Sequence, residues 1–348
     1  MQEDIKRILE IATNAPSGSN SQPWQFKVRG KMVNVIALPQ KDHPVLNYRN
    51  RGTWIAHGAL IENIDIVASS FGYGTEIKIF PDKNQPNITA GIGLVSGLPK
   101  ADPLFSVVPL RTINRKKYED RLLDDYQKQE LFKSVESHKN IELKFTEDKE
   151  QCRSIGEALA VNEIVTLETK RLHKLFFDEI VWSREEELKR KSGLYIKTME
   201  LKPPQQAVLR LLENWRVMQF LNQVKFASVI AKDNSRIYSS GAGIGIIVVK
   251  NNDEDFLLAG RVMERLWLEA TQMRLSFHLI TGTMFFWQGI QNDAMNIFSP
   301  DHVKIVNDAY NKITKVFNIK QGIIALAFRV GFDGEPSALS SKKPPEIL

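Results

Sequence analysis

Two short stretches of this chain combine residue types that could hold a flat, anionic ligand. The first is Ala15-Pro16-Ser17-Gly18-Ser19-Asn20-Ser21-Gln22-Pro23-Trp24-Gln25-Phe26. It gathers small residues, turn formers and amides into a loop, and Gly18 and the serines put no bulk between its main-chain N–H groups and a ligand. In isolation it also reads as an ordinary helix-to-strand connection. The second is Arg111-Thr112-Ile113-Asn114-Arg115-Lys116-Lys117-Tyr118. If it opens a helix, it joins unpaired N–H groups to bidentate guanidinium donors, which is a phosphate site. Alone, the pattern reads as a solvated turn rather than a site.

The elements that must position these stretches follow from hydrophobic spacing. Ile5, Ile8, Leu9 and Ala12 predict a short amphipathic helix before the first loop, and Phe26 with Val28 predicts a strand after it. Residues 53–72 predict a long helix ending at Gly72-Tyr73-Gly74, with strands at 76–80 and about 87–95. A second long helix is predicted at 255–273, flanked by strands at 245–249 and 322–330. A helix rich in small and apolar residues followed by an extended segment therefore occurs twice, at 55–80 and 256–280. Between the halves, residues 148–237 are strongly helical and charged, and Pro203-Pro204 breaks the run. Leu209, Leu211, Leu212, Trp215, Met218, Phe220 and Leu221 make this stretch too apolar for a linker. It reads as an insertion that packs on the body and covers a ligand. Gly241-Ala242-Gly243-Ile244-Gly245 precedes its apolar run, whereas a dinucleotide fingerprint needs strand, glycines, then helix, so it reads as a loop-to-strand entry near the site.

Composition bounds the function classes. The 348 residues are 43% hydrophobic and 25% charged, ordinary values for a globular protein. A net charge of +6 with no dominant basic block fits an anionic small ligand better than nucleic acid. A single cysteine, Cys152, excludes an intrachain disulfide, and the six histidines lack metal-ligand spacing, so no metal is expected. The start reads as a helix rather than a secretory leader, and no apolar run reaches the roughly 18 residues of a membrane span. The expectation is a cytoplasmic protein with no membrane or nucleic-acid partner.

The string A-P-S-G-x-N-x-Q-P-W-x-F resembles the signature loop of the nitroreductase family, flavin enzymes that bind FMN. The Arg111 stretch resembles that family's basic motif, and its R-x-x-N-R-x-x-Y form is similar to the Acg-like FMN-binding branch, in which two nitroreductase halves are fused in one chain. Ile113 stands where the pattern usually has Ser or Thr, so one hydroxyl ligand is absent. The tail Ser340-Ser341-Lys342-Lys343 reads in isolation as a flexible basic end. The resemblance implies that it docks, with Lys342 and Lys343 reaching the phosphate where the branch usually has two arginines. Leu279-Ile280-Thr281-Gly282 resembles the stretch whose backbone lies against the flavin ring.

The resemblance thus implies an α+β, nitroreductase-like (FMN-dependent) fold, a pseudo-dimer of two halves with a helical lid insertion. The first half is 1–104, the second 105–348, and the insertion about 148–237. Each cofactor motif occurs once, so one FMN site is expected, with Pro16, Ser17, Gly18 and Asn20 facing Arg111, Thr112 and Arg115, and Thr281, Gly282, Lys342 and Lys343 completing it. A monomer suffices for that site, and a homodimer is compatible with it. No catalytic side chain is named, because solvent or the flavin can supply protons. Arg115 is the candidate for positive charge near N1 and O2 of the ring. The expected activity is reduction of a nitro group, quinone or similar acceptor with NAD(P)H in a ping-pong cycle. The alternative is a flavin-binding or storage protein whose lid restricts NAD(P)H access. A helical regulatory protein without cofactor is the third reading.

Overall fold

The computed structural model describes residues 2–43, 45, 47–97, 100–136, 138, 140–292 and 297–348. The chain opens with α1 (Gln2–Ala12), which buries Ile5, Ile8, Leu9 and Ala12 at helical spacing. Strands β1 (Trp24–Arg29) and β2 (Met32–Ala37) form a hairpin whose turn uses Gly30 at φ +59°. Helix α2 (Arg51–Ser70) and strands β3 (Tyr73–Ile79) and β4 (Ile88–Ser96) follow. The four strands form an antiparallel sheet in the order β1-β2-β4-β3.

The second sheet repeats that order. After α3 (Asp125–Glu136), β5 (Glu142–Thr146) leads into seven helices: α4 (Lys149–Leu159), α5 (Val161–Glu168), α6 (Lys170–Glu179), α7 (Arg184–Arg190), α8 (Pro203–Leu212), α9 (Trp215–Asn222) and α10 (Phe226–Tyr238). A two-residue parallel pair, β6 (Ile180–Val181) with β7 (Leu194–Tyr195), brackets α7. Then come β8 (Gly243–Val249), α11 (Asp253–Gln272), β9 (Ser276–Ile280), α12 (Gly282–Ile290), α13 (Pro300–Val316) and β10 (Ile323–Gly331). The sheet order is β5-β8-β10-β9, again antiparallel. Each sheet thus places its third strand at the edge beside its fourth, with a 20-residue helix between its second and third strands.

Those two helices, α2 and α11, cross at the centre of the molecule. Sixteen of the 20 residues of α2 are buried, so it is an interior helix rather than an amphipathic surface one. Gly58 and Gly260 hold the eighth position of their respective helices. A Cβ on Gly58 would meet the Leu257 carbonyl oxygen at 1.9 Å, and one on Gly260 would meet the Ile55 carbonyl oxygen at 2.0 Å. Only glycine lets the two backbones approach this closely. Asn252 caps α11 by accepting from the Asp255 N–H at 2.8 Å, and three acidic residues complement its first-turn dipole.

The inserted helices explain a difference between the sheets. β8 is buried at all seven positions. Ile247 and Val249 join the central core under α11, while Ile244, Ile246 and Val248 join a second core with Ile155 and Leu159 of α4 and Ile313 of α13. Its counterpart β2, in contrast, alternates, burying Val33, Val35 and Ala37 and leaving Met32 exposed. Pro203 and Pro204 do not form a free hinge; they occupy the first turn of α8, where missing N–H groups cost nothing.

One sequence expectation is corrected here. Residues 111–118 do not open a helix; the chain runs without regular structure until α3 begins at Asp125. Tertiary hydrogen bonds replace helical ones. The Asn114 N–H donates to the Phe277 carbonyl at 2.9 Å, its Nδ2 donates to Ser276 Oγ at 3.0 Å and Gly334 O at 3.2 Å, and the Glu119 N–H donates to Phe332 O at 2.8 Å. Arg111 and Arg115 are therefore presented by a connector laid along β9 and the segment after β10. No described helix is long and apolar enough to cross a membrane.

Candidate functional site

The loop after α1 is held in a form few sequences adopt. Ser19, Asn20 and Gln22 have φ of 45°, 54° and 51°, in the left-handed region that non-glycine residues rarely occupy. Such backbone persists only where its surroundings over-determine it. Here Ser17 Oγ accepts from the Gln22 N–H at 2.9 Å, and Gln22 Nε2 donates to Lys191 O at 2.7 Å. The Gly193 N–H donates to Ser19 O at 2.8 Å, and Ser19 Oγ also bonds Glu179. Asn20 Nδ2 donates to Ser341 O at 3.0 Å. The insertion and the C-terminal tail thus clamp the loop together. A Cβ built on Gly18 would meet nothing within 4 Å, so the loop opens outward at that residue.

It opens onto a cavity of about 340 Å³, within the usual range for small-molecule sites. Pro16, Ser17, Gly18 and Asn20 line it together with Arg111, Thr112, Arg115 and Lys342. Apolar side chains line it too: Ile55 of α2, Met263 and Trp267 of α11, Ile113, Leu279 and Phe285. The lining therefore combines cations with aromatic and aliphatic side chains, and Arg111 lies against Trp267.

Arg111 and Lys342 define the cationic part. Arg111 is buried; its Nη2 donates to Asn14 O at 2.7 Å, its guanidinium lies 4.3 Å from the Trp267 ring centre, and its Nε is 3.1 Å from Glu264 Oε1. Glu264 is 0% exposed. Burial pushes its carboxyl up to about 7, with Arg111 pulling the other way. Lys342 Nζ donates to Ala15 O and Asn20 Oδ1, each at 2.9 Å. Burial first, and Arg111 second, push its ammonium down to about 7, while Glu264 opposes them. Arg115 Nη1 donates to Thr198 O at 2.9 Å, which ties this cation to the segment after β7.

The sequence-predicted residues distribute as follows. Pro16, Ser17, Gly18, Asn20, Arg111, Thr112, Arg115, Thr281 and Lys342 all line the one cavity. Gly282 is not on its wall; it opens α12, where an added Cβ would strike the Asn162 side chain at 2.0 Å. Lys343 also stands off the wall, its N–H donating to Gln22 Oε1 at 2.7 Å. Gly241 packs against Tyr118 and does not line the cavity. Of the insertion, Gly193, Leu194 and Thr198 line the cavity, whereas no residue of α8 or α9 does. Trp215 instead rests on His173 and Met218 packs inside the insertion's own core. Glu264 and the place of Trp267 on the cavity wall against Arg111 escaped the sequence reading. The available signal was Glu62 and Glu264, one carboxylate at the twelfth position of each central helix.

Residues 1–41, which contain the clamped loop, match the model of the Nitroreductase family. The chain resembles the nitroreductase family. The fold itself is α+β, two four-stranded antiparallel sheets about a pair of central helices. A Mycobacterium tuberculosis protein without an assigned function is 21% identical over 286 residues, 81% of this chain and 39% of that protein. Another, provisionally named NAD(P)H nitroreductase, is 25% identical over 118 residues, 33% of this chain and 34% of its own length. The chain thus spans well under half the length of these curated relatives in each match. Among solved structures, a Bacteroides fragilis nitroreductase with bound FMN aligns over 70% of this chain and 94% of its own, at 9% identity and a TM-score of 0.36. The FMN-dependent nitroreductase NfnB of Mycobacterium smegmatis, in complex with NADPH, aligns over 65% and 85%, at 9% identity and a TM-score of 0.38. Among the described residues no cluster of three or more His, Cys, Asp or Glu could hold a metal.

Proposed function

We propose that this chain binds one FMN in the cavity and acts as an FMN-dependent oxidoreductase of nitroreductase type. The observation that carries the reading is the convergence, in one cavity, of the family-matched loop, three cationic side chains and apolar ones. The donor set suits the cofactor: Arg111 and Lys342 are phosphate partners beside the open Gly18, and Trp267, Met263 and Ile113 offer contact to a flat ring. Bound flavin would supply the redox chemistry, accepting hydride and passing electrons to a nitro group or quinone. The chain's own residues bind, orient and screen. Arg115, fixed by Thr198, holds positive charge in the cavity for the N1/O2 edge of the ring. Gly193, Leu194 and Thr198, with Leu339 and Ser340 of the tail, restrict solvent on one side. We read residues 1–104 and 105–348 as two nitroreductase-like halves that jointly build a single site, so one chain suffices. NADH or NADPH is the proposed donor.

A second reading rests on that same cover. If residues 193–198 and the tail stay closed, the protein stores flavin and reacts slowly with NAD(P)H. The absorption spectrum of FMN-saturated protein, followed by anaerobic addition of NADH and then NADPH, separates the two. One flavin per chain, bleached by either dinucleotide, is the expected result. Bleaching by dithionite alone favours storage. Absence of any flavin binding defeats both readings.

A further inference from the structure

Glu264 is an unusual neighbour for an anion site. It is fully buried, and among the described residues no partner forms an aligned hydrogen bond with either of its oxygens. Arg111 Nε stands 3.1 Å away yet is also without a hydrogen bond, so the pair attracts without aligned bonding. A buried carboxylate in that condition is costly, because charge attraction alone replaces its lost hydration. Beside it on α2 lies Asn63, whose Oδ1 is buried and likewise unpartnered.

We propose that Glu264 is the internal counter-ion of the cavity's cationic end, and that an arriving phosphomonoester displaces it as the partner of Arg111 and Lys342 while the site takes up a proton from solvent. This deepens, and rests on, the reading of the cavity as an FMN site. The charged and titratable groups facing Glu264 are Arg111 from the connector, Lys342 from the tail, and Glu62 from α2, with Asn63 as its neutral neighbour. Glu62 is itself engaged by Arg261 and Arg265. Lys342 faces Arg111, Glu264, and the oxygens of Ala15 and Asn20.

The direction follows from these charges. Glu264 and Lys342 both change state at about 7. Below that pH, Lys342 is charged and Glu264 neutral, so with Arg111 the site carries two positive charges. Above it, Lys342 is neutral and Glu264 negative, and the site has none in excess. Phosphomonoester binding therefore weakens as pH rises through 7. The ligand's own second ionisation, near roughly 6, opposes this only at lower pH. A ligand with the same ring and no phosphate gains nothing from the change, so the device discriminates by ligand charge.

Isothermal titration of full-length apoprotein in two buffers of different ionisation enthalpy tests this, with FMN and riboflavin as probes. At pH 7.5 FMN binding is expected to take up roughly one proton, so affinity falls by roughly tenfold per pH unit for each proton taken up. Riboflavin binding is expected to take up none and to stay flat with pH. In Glu264→Gln the uptake falls to the Lys342 share, and FMN binds more tightly than wild type at pH 8. FMN binding without proton uptake in wild type overturns the counter-ion role and leaves the FMN reading intact. So does an unchanged pH slope in Glu264→Gln. Should neither flavin bind, the FMN reading fails. Inorganic phosphate in the same two buffers then tests the counter-ion directly, and phosphate that fails to bind, or binds without proton uptake, overturns it.

Discussion

Two corners of the molecule occupy equivalent places on the crossed central helices and have opposite characters. At the twelfth position of α2, Glu62 accepts from Arg261 Nε at 2.8 Å and from Arg265 Nε at 2.6 Å. Arg261 also reaches Asp65 at 3.0 Å, and Arg265 reaches Asp102 at 3.0 Å. Two cations meet three carboxylates, and the corner is closed. At the twelfth position of α11, Glu264 faces Arg111 without aligned hydrogen bonds, beside a cavity. Asp65 holds the fifteenth position of α2; its counterpart on α11 is Trp267. That one exchange is instructive. A second carboxylate would neutralise the arginine, whereas an aromatic face holds it by its quadrupole and leaves the positive charge available to a ligand. Asn63 and Arg265 share the thirteenth position in the same way, one neutral and one charged. A single chain built on a repeated plan thus keeps one corner open and fills the other with its own ion pairs.

The plan itself is tested first, because its failure has the largest effect. Gly58→Ala and Gly260→Ala each drive a Cβ into a backbone carbonyl at the crossing. Neither backbone can yield cheaply, and each variant is expected to lose about 4 kcal/mol or more, seen as a collapsed urea midpoint. Equal losses support the equivalence of the two helices; tolerance at one position alone would break it.

The two carboxylates should then respond in opposite directions. Glu62→Gln leaves Arg261 and Arg265 short of a buried partner and should cost about 3 kcal/mol. Glu264→Gln removes a charge that burial disfavours. The carboxyl of Glu264 is raised from 4.5 to about 7 in the folded chain. Between those values the folded state binds more protons than the unfolded, so wild type loses stability relative to Glu264→Gln as pH rises from about 4.5 to 7. The variant should match wild type in acid and exceed it at pH 8 by on the order of 2–3 kcal/mol. Denaturant midpoints at pH 5 and 8 for both variants decide the matter. A Glu264→Gln variant that is weaker at pH 8 would make the two corners alike.

Arg111→Ala and Arg261→Ala carry the comparison to ligand binding. Loss of Arg111 removes a charge-assisted contact and should weaken FMN binding by roughly 1.5–3 kcal/mol. Loss of Arg261 should lower stability and leave the FMN dissociation constant within about twofold, since it is consumed by Glu62 and Asp65. Flavin fluorescence quenching measures both. Equal effects on affinity would mean that the closed corner also takes part in binding.

These contrasts were only partly legible in the sequence. The long helices, the paired strands and the loop from Pro16 to Asn20 follow from local spacing and turn chemistry, and the structure carries them at nearly the expected residues. The extended path of 111–124 was not legible, because its hydrogen bonds go to β9 and to residues far along the chain. The same limit hid the division of labour within the insertion. Leu194 and Leu221 look equally apolar in sequence, yet only the former reaches the cavity. Glu264 was invisible for a different reason. A charged residue in a helix reads as solvent-facing, and only the crossing of α2 and α11 takes it out of water.

The exchange of Asp65 for Trp267 gives the smallest expected effect and the sharpest test of how the open corner works. The Arg111 guanidinium lies 4.3 Å from the Trp267 ring centre, and Trp267 in turn stacks on Phe277 at 4.9 Å. Trp267→Phe preserves an aromatic surface for the stack and weakens the quadrupole beneath the cation. Arg111 keeps its bond to Asn14 O, so it stays in the cavity wall with a less fixed orientation. FMN affinity should fall by about 0.5–1 kcal/mol, a twofold to sixfold rise in dissociation constant. Riboflavin affinity should fall less, because the part of the loss carried by Arg111 is a loss to the phosphate. If Trp267→Phe weakens both ligands equally, the ring serves the flavin and not the arginine. The open corner would then owe its free charge to the missing second carboxylate alone.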